Sequence, residues 1–159
     1  MKSIVVYYSL EGNTKLIADA ITEEIDCDVM QLTPKNDVSK KGFMKYVWGG
    51  KQVVLNEKPE LEPFDKNIDS YDLIIMGSPV WAGSFAPAFS TFFSQVSLKN
   101  KNIVLFSCYA GTEGKIFDSF KEKLESNIIL GQVGFKDPLK NNTEENIVKA
   151  KHWIRKFKK

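Results

Sequence analysis

Short apolar runs alternate along the chain with segments in which apolar residues recur every three or four positions. Five runs rich in β-branched residues predict strands at residues 3–8, 28–32, 73–77, 102–107 and 128–133. Segments of helical period predict helices at 14–25, 86–96 and 116–124, and a last helix near Thr143 that Asn142 or Thr143 can cap. Several strand runs are apolar without interruption, as in strands buried on both faces. The pattern predicts an α/β protein, a three-layer sandwich with a five-stranded parallel sheet and helices on both faces.

The stretch between the second and third predicted strands is the least regular. Apolar spacing from Phe43 onward predicts a helix that ends around Val53 or Leu55, and Pro59 and Pro63 mark an extended connection into the third strand. No internal repeat, low-complexity tract or linker divides the chain. We therefore expect a single domain over residues 1–159.

The composition is that of one soluble globular domain, because 43% of the 159 residues are apolar and 26% are charged. No apolar run approaches the ~18 residues needed to cross a bilayer, and the first residues do not have the pattern of a secretory signal. We therefore expect a cytoplasmic protein.

The formal charge is +2, and 21 of the 22 cations are lysines, with Arg155 the only arginine. Bidentate recognition of phosphates or bases is nearly excluded, so we expect no nucleic-acid partner. The lack of a long apolar run leads us to expect no membrane partner.

Charge is distributed unevenly along the sequence. The last twelve residues hold six cations and no acid, which leaves 16 cations and 20 acids elsewhere, a formal −4. Residues 57–72 contain six acids against Lys58 and Lys66. We expect this acidic patch to lie beside the ligand-bearing edge of the sheet, with the basic last helix far from it, so that the field orients a basic partner.

Cysteine and histidine usage excludes several kinds of catalytic site. Cys27 and Cys108 are far apart and form no CxxC motif, and His152 is the only histidine. A zinc site, a Ser-His or Cys-His nucleophile and an HExxH helix each need histidine in a setting that this sequence does not provide. We therefore expect no metal centre and reduced thiols.

The loop after the first strand carries a candidate anion site. Ligands of open parallel sheets bind beyond the carboxyl ends of the strands. Here Ser9 to Thr14 lead directly into a helix, with hydroxyls at both ends, Gly12 between them and the free N–H groups of the helix start. This suits a phosphate, although a plain strand-to-helix turn capped by Asn13 or Thr14 is an equally good interpretation of this loop alone. The loop is not a Walker A motif, and no strand is followed by GxGxxG.

The loops after the third and fourth predicted strands each place an aromatic residue among small ones. Trp81 follows Gly77, Ser78, Pro79 and Val80, and an indole there can stack on a flat ligand or simply pack on the next helix. Tyr109 stands before Ala110 and Gly111, in what can also be an ordinary surface loop. Because both loops share the edge of the phosphate candidate, together they favour a planar ring with a phosphorylated tail.

At these residues the sequence resembles the bacterial short-chain flavodoxins. The resemblance covers nearly the whole chain and rests on residues 7–15, 42–51 and 77–81. It implies sheet order 2-1-3-4-5 and non-covalently bound FMN, with the phosphate in the first loop and the ring between Trp81 and Tyr109. The cofactor-binding residues that it implies are Ser9, Leu10, Glu11, Gly12, Asn13, Thr14, Ser78, Pro79, Val80, Trp81, Ala82, Gly83, Ser107, Cys108, Tyr109, Ala110 and Gly111.

The sequence departs from the flavodoxin pattern at two places in these loops. Glu11 stands where the family commonly has threonine, and an ionised carboxylate would repel a phosphate, so we expect Glu11 to face solvent. Ala82, Gly83 and Ser84 follow Trp81 without the acidic residues common in the family. One acidic influence on the flavin is therefore missing.

Two functions follow from the resemblance. One is a monomeric, low-potential electron carrier between a reductase and acceptor enzymes, bound through the flavin edge and the acidic patch. The alternative is an NAD(P)H-dependent quinone or flavin reductase on the same fold. No basic cluster is evident in the sequence beside the Trp81 and Tyr109 loops, and this favours the carrier. A third possibility, an interaction module that has lost its flavin, is disfavoured by the intact loops.

Overall fold

A parallel sheet with helices on both faces forms the fold, and the computed structural model describes residues 1–37 and 57–158. The strands are β1 (Ser3–Tyr7), β2 (Asp28–Gln31), β3 (Leu73–Trp81), β4 (Ser84–Phe85), β5 (Asn102–Tyr109) and β6 (Ile128–Lys136). The helices are α1 (Asn13–Glu24), α2 (Pro87–Gln95), α3 (Ile116–Lys123) and α4 (Thr143–Arg155), and a short 3₁₀ turn covers Ile68–Ser70. The predicted helix ending around Val53 or Leu55, and the resemblance at residues 42–51, lie outside the described residues.

The strand order confirms the predicted flavodoxin-like architecture. The five long strands are parallel in the order β2-β1-β3-β5-β6, which is order 2-1-3-4-5 when the short β4 is left out. The sequence did not predict β4, which pairs antiparallel with the end of β3. This pairing extends β3 four residues beyond the predicted end at Gly77, through Pro79, whose missing N–H is tolerated where the ladder changes partner.

Residues of β1 alternate between two apolar layers. Ile4 and Val6 face the cluster that contains Phe89 of α2 and Phe120 of α3. Val5 faces the opposite cluster, which contains residues of α1 and α4. All five residues of β1 are buried, as the uninterrupted apolar run predicts for a central strand covered on both faces.

Ion pairs join α4 to α1 along their exposed sides. Lys151 Nζ lies 2.7 Å from Glu23 Oε2. Arg155 contacts Glu24 with two nitrogens, at 2.6 and 3.0 Å, and this pairing lowers the pKa of the Glu24 carboxyl. The only arginine of the chain is thus paired away from the carboxyl edge of the sheet.

The start of α4 differs from the predicted cap. Asn142 is the residue before the helix, but its φ is +48° and its side chain makes no capping hydrogen bond. A cap residue reaches the free N–H groups from an extended conformation, which Asn142 does not adopt. The Thr143 hydroxyl instead donates to the Leu139 carbonyl oxygen. None of the helices in the described part of the chain has the length and apolar content that crossing a bilayer requires.

Candidate functional site

A groove with a volume of about 140 Å³ lies at the carboxyl edge of the sheet, where β1 separates β2 from the other strands. Twelve of the seventeen predicted site residues line it, together with one residue that was not predicted, Asp137. The predicted residues along the groove are Ser9, Leu10, Glu11, Asn13, Thr14, Pro79, Val80, Trp81, Ala82, Cys108, Tyr109 and Ala110. The structure therefore brings the three predicted loops to one place.

The first loop, residues 9–14, is organised around the Ser9 hydroxyl. Its Oγ accepts hydrogen bonds from the N–H groups of Gly12 and Lys15, each at 3.2 Å. Gly12 precedes α1 with φ at +102°, a conformation that side chains disfavour, and it does not itself line the groove. Thus the side chain that accepts hydrogen bonds at the helix start is that of Ser9, and not that of Asn13 or Thr14. Glu11 is exposed at the rim of the groove.

Unpartnered donors concentrate at the beginning of α1. The Thr14 hydroxyl is buried and makes no hydrogen bond of ordinary geometry, although it lies near enough to Cys108 to lower the pKa of that thiol slightly. The N–H groups of Asn13 and Thr14 reach no acceptor within residues 1–37 and 57–158. Donors without acceptors at a helix N-terminus suit an oxyanion ligand, which favours the phosphate interpretation over the plain turn.

The hairpin loop, residues 81–84, joins β3 to β4 through Ala82 and Gly83. Both of these residues have positive φ, +48° and +75°, as in a two-residue type I′ turn. Below the turn, the Ser78 hydroxyl accepts from the Ala86 N–H and donates to the Pro79 carbonyl oxygen. Ser78 and Gly83 therefore shape the turn and do not line the groove, unlike their neighbours Trp81 and Ala82.

The Trp81 indole both packs against the core and lines the groove. Tyr8 meets it edge to face, with ring centroids 5.3 Å apart and an interplanar angle of 87°. The Tyr8 hydroxyl donates to Asp37 at 2.8 Å, and burial followed by the Asp37 charge raises the pKa of Tyr8 far above its usual value. The neutral Tyr8 ring thus packs against the indole on its core side, and Trp81 itself is half-buried at the groove.

The glycine loop, residues 109–114, follows β5 and contacts the hairpin loop through backbone atoms. Gly114 has φ at +58°, and a Cβ there would lie 2.7 Å from the Gly83 Cα. Beside it, the Lys115 N–H donates to the Gly83 carbonyl oxygen at 2.8 Å. Only glycine permits this approach, so the start of α3 supports the hairpin loop.

The remaining predicted residues of this region have structural contacts. Ser107 is buried, and its hydroxyl donates to Glu113 Oε1 at 3.2 Å. Gly111 is exposed and does not line the groove. Burial raises the pKa of the Cys108 thiol to about 12, so it is neutral near pH 7 and unsuited to nucleophilic chemistry.

Sequence reasoning missed two lysines beside these loops. Lys115 is joined to the hairpin loop by the hydrogen bond to Gly83, and Lys136 is in register with Tyr109 across β5 and β6. Both are exposed, and neither forms an ion pair with another described residue. The sequence signal for Lys115 is its position after the last glycine of the loop. Lys136 has no such local signal, because its place beside Tyr109 depends on the register of β6 on β5.

The acids of residues 57–72 do not gather in the one patch beside the groove that the sequence analysis predicted. The first part of the segment lies at the carboxyl end of β2, where the Glu62 N–H donates to the Thr33 carbonyl oxygen at 2.7 Å. Asp69 and Asp72 precede β3 and therefore lie at the amino end of the sheet, opposite the groove. Asp69 pairs with Lys101 at 3.2 Å, and Glu60 pairs with Lys35. Because the segment runs back from the end of β2 to the start of β3, its acids are spread along the molecule instead of gathering at the groove.

Comparisons with known proteins agree with the fold. The model of the NADPH-dependent FMN reductase family matches residues 1–121. A flavoprotein from Lactobacillus acidophilus, solved in complex with FMN, is 26% identical, with 89% of this chain and 97% of that one covered and a TM-score of 0.74. No curated protein sequence matches.

Two further solved structures share the fold at lower identity. Megasphaera elsdenii flavodoxin is 19% identical, with 94% and 97% of the two chains covered and a TM-score of 0.57. An NADPH-quinone reductase from P. pentosaceus is 10% identical, with 97% and 98% covered and a TM-score of 0.63. These likenesses concern the fold alone, whereas the family match extends over three quarters of the sequence. The chain therefore belongs to the NADPH-dependent FMN reductase family, as a flavodoxin-like flavoprotein whose cofactor is FMN.

Proposed function

We propose that the protein catalyses the NADPH-dependent reduction of a quinone or a free flavin in the cytoplasm, with FMN bound in the groove as its redox group. FMN when bound supplies the chemistry, because it takes up two electrons as a hydride and returns them to an acceptor. The observation that carries the proposal is a pair of lysines, Lys115 and Lys136, that have no ion-pair partner among the described residues and adjoin the loops of a groove that otherwise has the residues of an FMN site.

The residues of the groove fit FMN in both charge and shape. The Thr14 hydroxyl and the free N–H groups of Asn13 and Thr14 are suited to its phosphate. Trp81 and Tyr109 supply aromatic surface for its ring. At about 140 Å³ the groove is smaller than pockets that enclose a ligand of this size, so in the proposed function the described residues cover only part of the flavin and a second molecule meets the rest.

Lys115 and Lys136 suit the second molecule if it is a nicotinamide nucleotide. Its phosphates carry several negative charges, and lysines act on them as point charges without the planar geometry of arginine. The groove itself is lined by two carboxylates and, among the described residues, by no basic one. Lys15, which follows the first loop, is paired with Asp19, so Lys115 and Lys136 are the cations beside the hairpin and glycine loops that have no ion-pair partner in the described part of the chain. The sequence favoured the carrier because no basic cluster was evident beside the Trp81 and Tyr109 loops, and these two lysines remove that argument.

Steady-state kinetics of the FMN-loaded protein test the proposal. We expect saturable NADPH oxidation with a quinone acceptor, faster than with the same concentration of free FMN. The double variant Lys115→Glu and Lys136→Glu should raise KM for NADPH by about tenfold at low salt, and less at high salt, because exposed charges are screened. Its FMN affinity should stay unchanged. The matched control is Lys123→Glu, an exposed lysine at the far end of α3.

A monomeric electron carrier between a reductase and an acceptor enzyme is the second candidate, supported by the open groove of a flavodoxin-like domain. It predicts the opposite kinetic result. A fully loaded protein that oxidises NADPH no faster than free FMN, but exchanges electrons rapidly with a flavoprotein reductase, would contradict the proposed activity and favour the carrier.

A further inference from the structure

Asp137 lines the groove although neither its sequence context nor the resemblance marked it as a site residue. It follows β6 directly, is half-buried and has φ at +39°. Its N–H donates to the Tyr109 carbonyl oxygen at 2.9 Å. Its carboxylate forms no hydrogen bond or ion pair with any residue in the described part of the chain. A half-buried acceptor at a ligand groove is therefore left for the ligand itself.

The segment that carries Asp137 contacts both sides of the groove. On the ring side, Asp137 is bonded to Tyr109 at the end of β5. On the side of the first loop, the Leu139 N–H donates to Asn13 Oδ1 at 3.0 Å, and Leu139 also packs against Gly12. The negative charge of Asp137 also reaches Cys108, between the two sides, where it contributes to raising the pKa of the thiol. Asp137 thus lines the groove between the first loop and Tyr109.

The charge of Asp137 decides which part of the ligand can donate a hydrogen bond to its carboxylate. An ionised carboxylate only accepts hydrogen bonds, and it repels a phosphate, which has no proton to donate when it is a dianion. The faces of the flavin ring offer no donor, and its N3–H lies on the edge of the pyrimidine ring, on the side away from N10, to which the ribityl chain is attached. The part of FMN that joins phosphate to ring is the ribityl chain, which carries hydroxyl groups, and each hydroxyl can donate a charge-assisted hydrogen bond.

We infer that the Asp137 carboxylate accepts hydrogen bonds from the ribityl hydroxyls of FMN and makes the groove selective for flavins that carry this chain. The inference deepens the proposed function, since it rests on the flavin occupying the groove, but it does not depend on turnover with NADPH. Asp137 is accordingly a binding residue that selects the cofactor.

Equilibrium titration with three flavins tests this role. FMN, riboflavin and lumiflavin share the ring, and lumiflavin lacks the ribityl chain. Asp137→Ala should weaken riboflavin and FMN binding by about tenfold or more, the range for hydrogen bonds to charged groups, and change lumiflavin binding by less than about twofold. Asp137→Asn should cause a smaller loss for riboflavin, because asparagine keeps an oxygen acceptor and tolerates positive φ.

The controls separate a binding role from a structural one. Asp26→Asn removes an exposed acid that precedes β2, at the opposite end of the sheet, and should leave all three affinities unchanged. Equal losses for riboflavin and lumiflavin in Asp137→Ala would overturn the inference, as would unchanged or tighter riboflavin binding. Wild-type protein that discriminates riboflavin from lumiflavin through Asp137 but does not oxidise NADPH would contradict the proposed activity alone.

Discussion

The first loop and the two ring-side loops border one groove but are anchored in different ways. The first loop is continuous with β1 and α1, and its form depends on Gly12 and on two N–H groups that share the Ser9 hydroxyl. The hairpin and glycine loops leave the sheet and are held to each other by the Lys115 to Gly83 hydrogen bond. In the proposed function, phosphate binding therefore relies on backbone N–H groups together with the Thr14 hydroxyl, whereas ring binding relies on side chains and on contact between two loops.

The largest loss of FMN affinity is expected from Gly12→Ala. A side chain at left-handed φ costs about 1–2 kcal/mol, and the new Cβ would lie 3.3 Å from Leu139 Cδ1. The loop must shift, so we expect FMN to bind about 30-fold more weakly in a fluorescence titration, since its charge-assisted hydrogen bonds are misaligned. Riboflavin, which has no phosphate, serves as the control and should lose much less. Equal losses would show that the first loop does not act on the phosphate.

Trp81→Ala tests the ring side. Loss of a stacked aromatic residue is worth about 1–3 kcal/mol in comparable base-binding sites, so FMN and riboflavin should both bind about tenfold more weakly, with a changed flavin absorption spectrum. Trp81→Phe keeps an aromatic face and should restore most of the affinity. If affinity and spectrum are unchanged in Trp81→Ala, the indole does not contact the flavin.

A smaller effect is expected where the two ring-side loops meet. Gly114→Ala places a Cβ 2.7 Å from the Gly83 Cα, and backbone cannot yield there as a flexible side chain would. We expect about a fivefold loss of FMN affinity, comparable to one weakened hydrogen bond, together with a shift in Trp81 emission. Gly111→Ala is the matched control in the same loop, because its Cβ would meet no atom within 4 Å. A similar loss of FMN affinity in both variants would mean that the contact between Gly114 and Gly83 does not affect FMN binding.

The smallest effect near neutral pH concerns Cys108, which lies where the two sides meet. Burial raises the pKa of its thiol from 9.0 to about 12, so folding favours the neutral form. This stabilisation is complete below the unfolded value and is lost as the pH rises from about 9 toward 12. Alkylation of Cys108 should be negligible at pH 8 and increase about tenfold per pH unit. Cys27→Ser removes the competing thiol, whose pKa is about 11. Rapid labelling at pH 8 would contradict the burial.

The sheet could be predicted from sequence because its signals are local. The uninterrupted apolar run at β1 and the helical period of α1 depend only on neighbouring residues, and both elements lie within a residue or two of their predicted bounds. The hairpin after Trp81 was missed because Ala82 is not a usual residue for positive φ, and Pro79 normally ends a strand.

The missed residues of the site depend on contacts between distant segments. Lys136 adjoins Tyr109 only through the register of β6 on β5, where a shift between Ile103 and Val104 alters the pairing. Asp137 reaches the groove because its loop bonds to Asn13, which is more than a hundred positions away in sequence. The acids of residues 57–72 do not form the single patch that was predicted for the same reason, since composition gives how many acids a segment has but not where the fold places each of them.

Because the only arginine is paired with Glu24, anions at the groove can be recognised only by amide N–H groups, hydroxyls and lysines. Such donors respond to charge and size more than to the planar shape that a guanidinium selects. Small inorganic oxyanions should therefore compete with the phosphate of FMN for the first loop. Flavin loading of the protein will then depend on the surrounding medium, with FMN bound more weakly in sulfate or phosphate buffer than in a buffer without oxyanions, and riboflavin indifferent to the exchange.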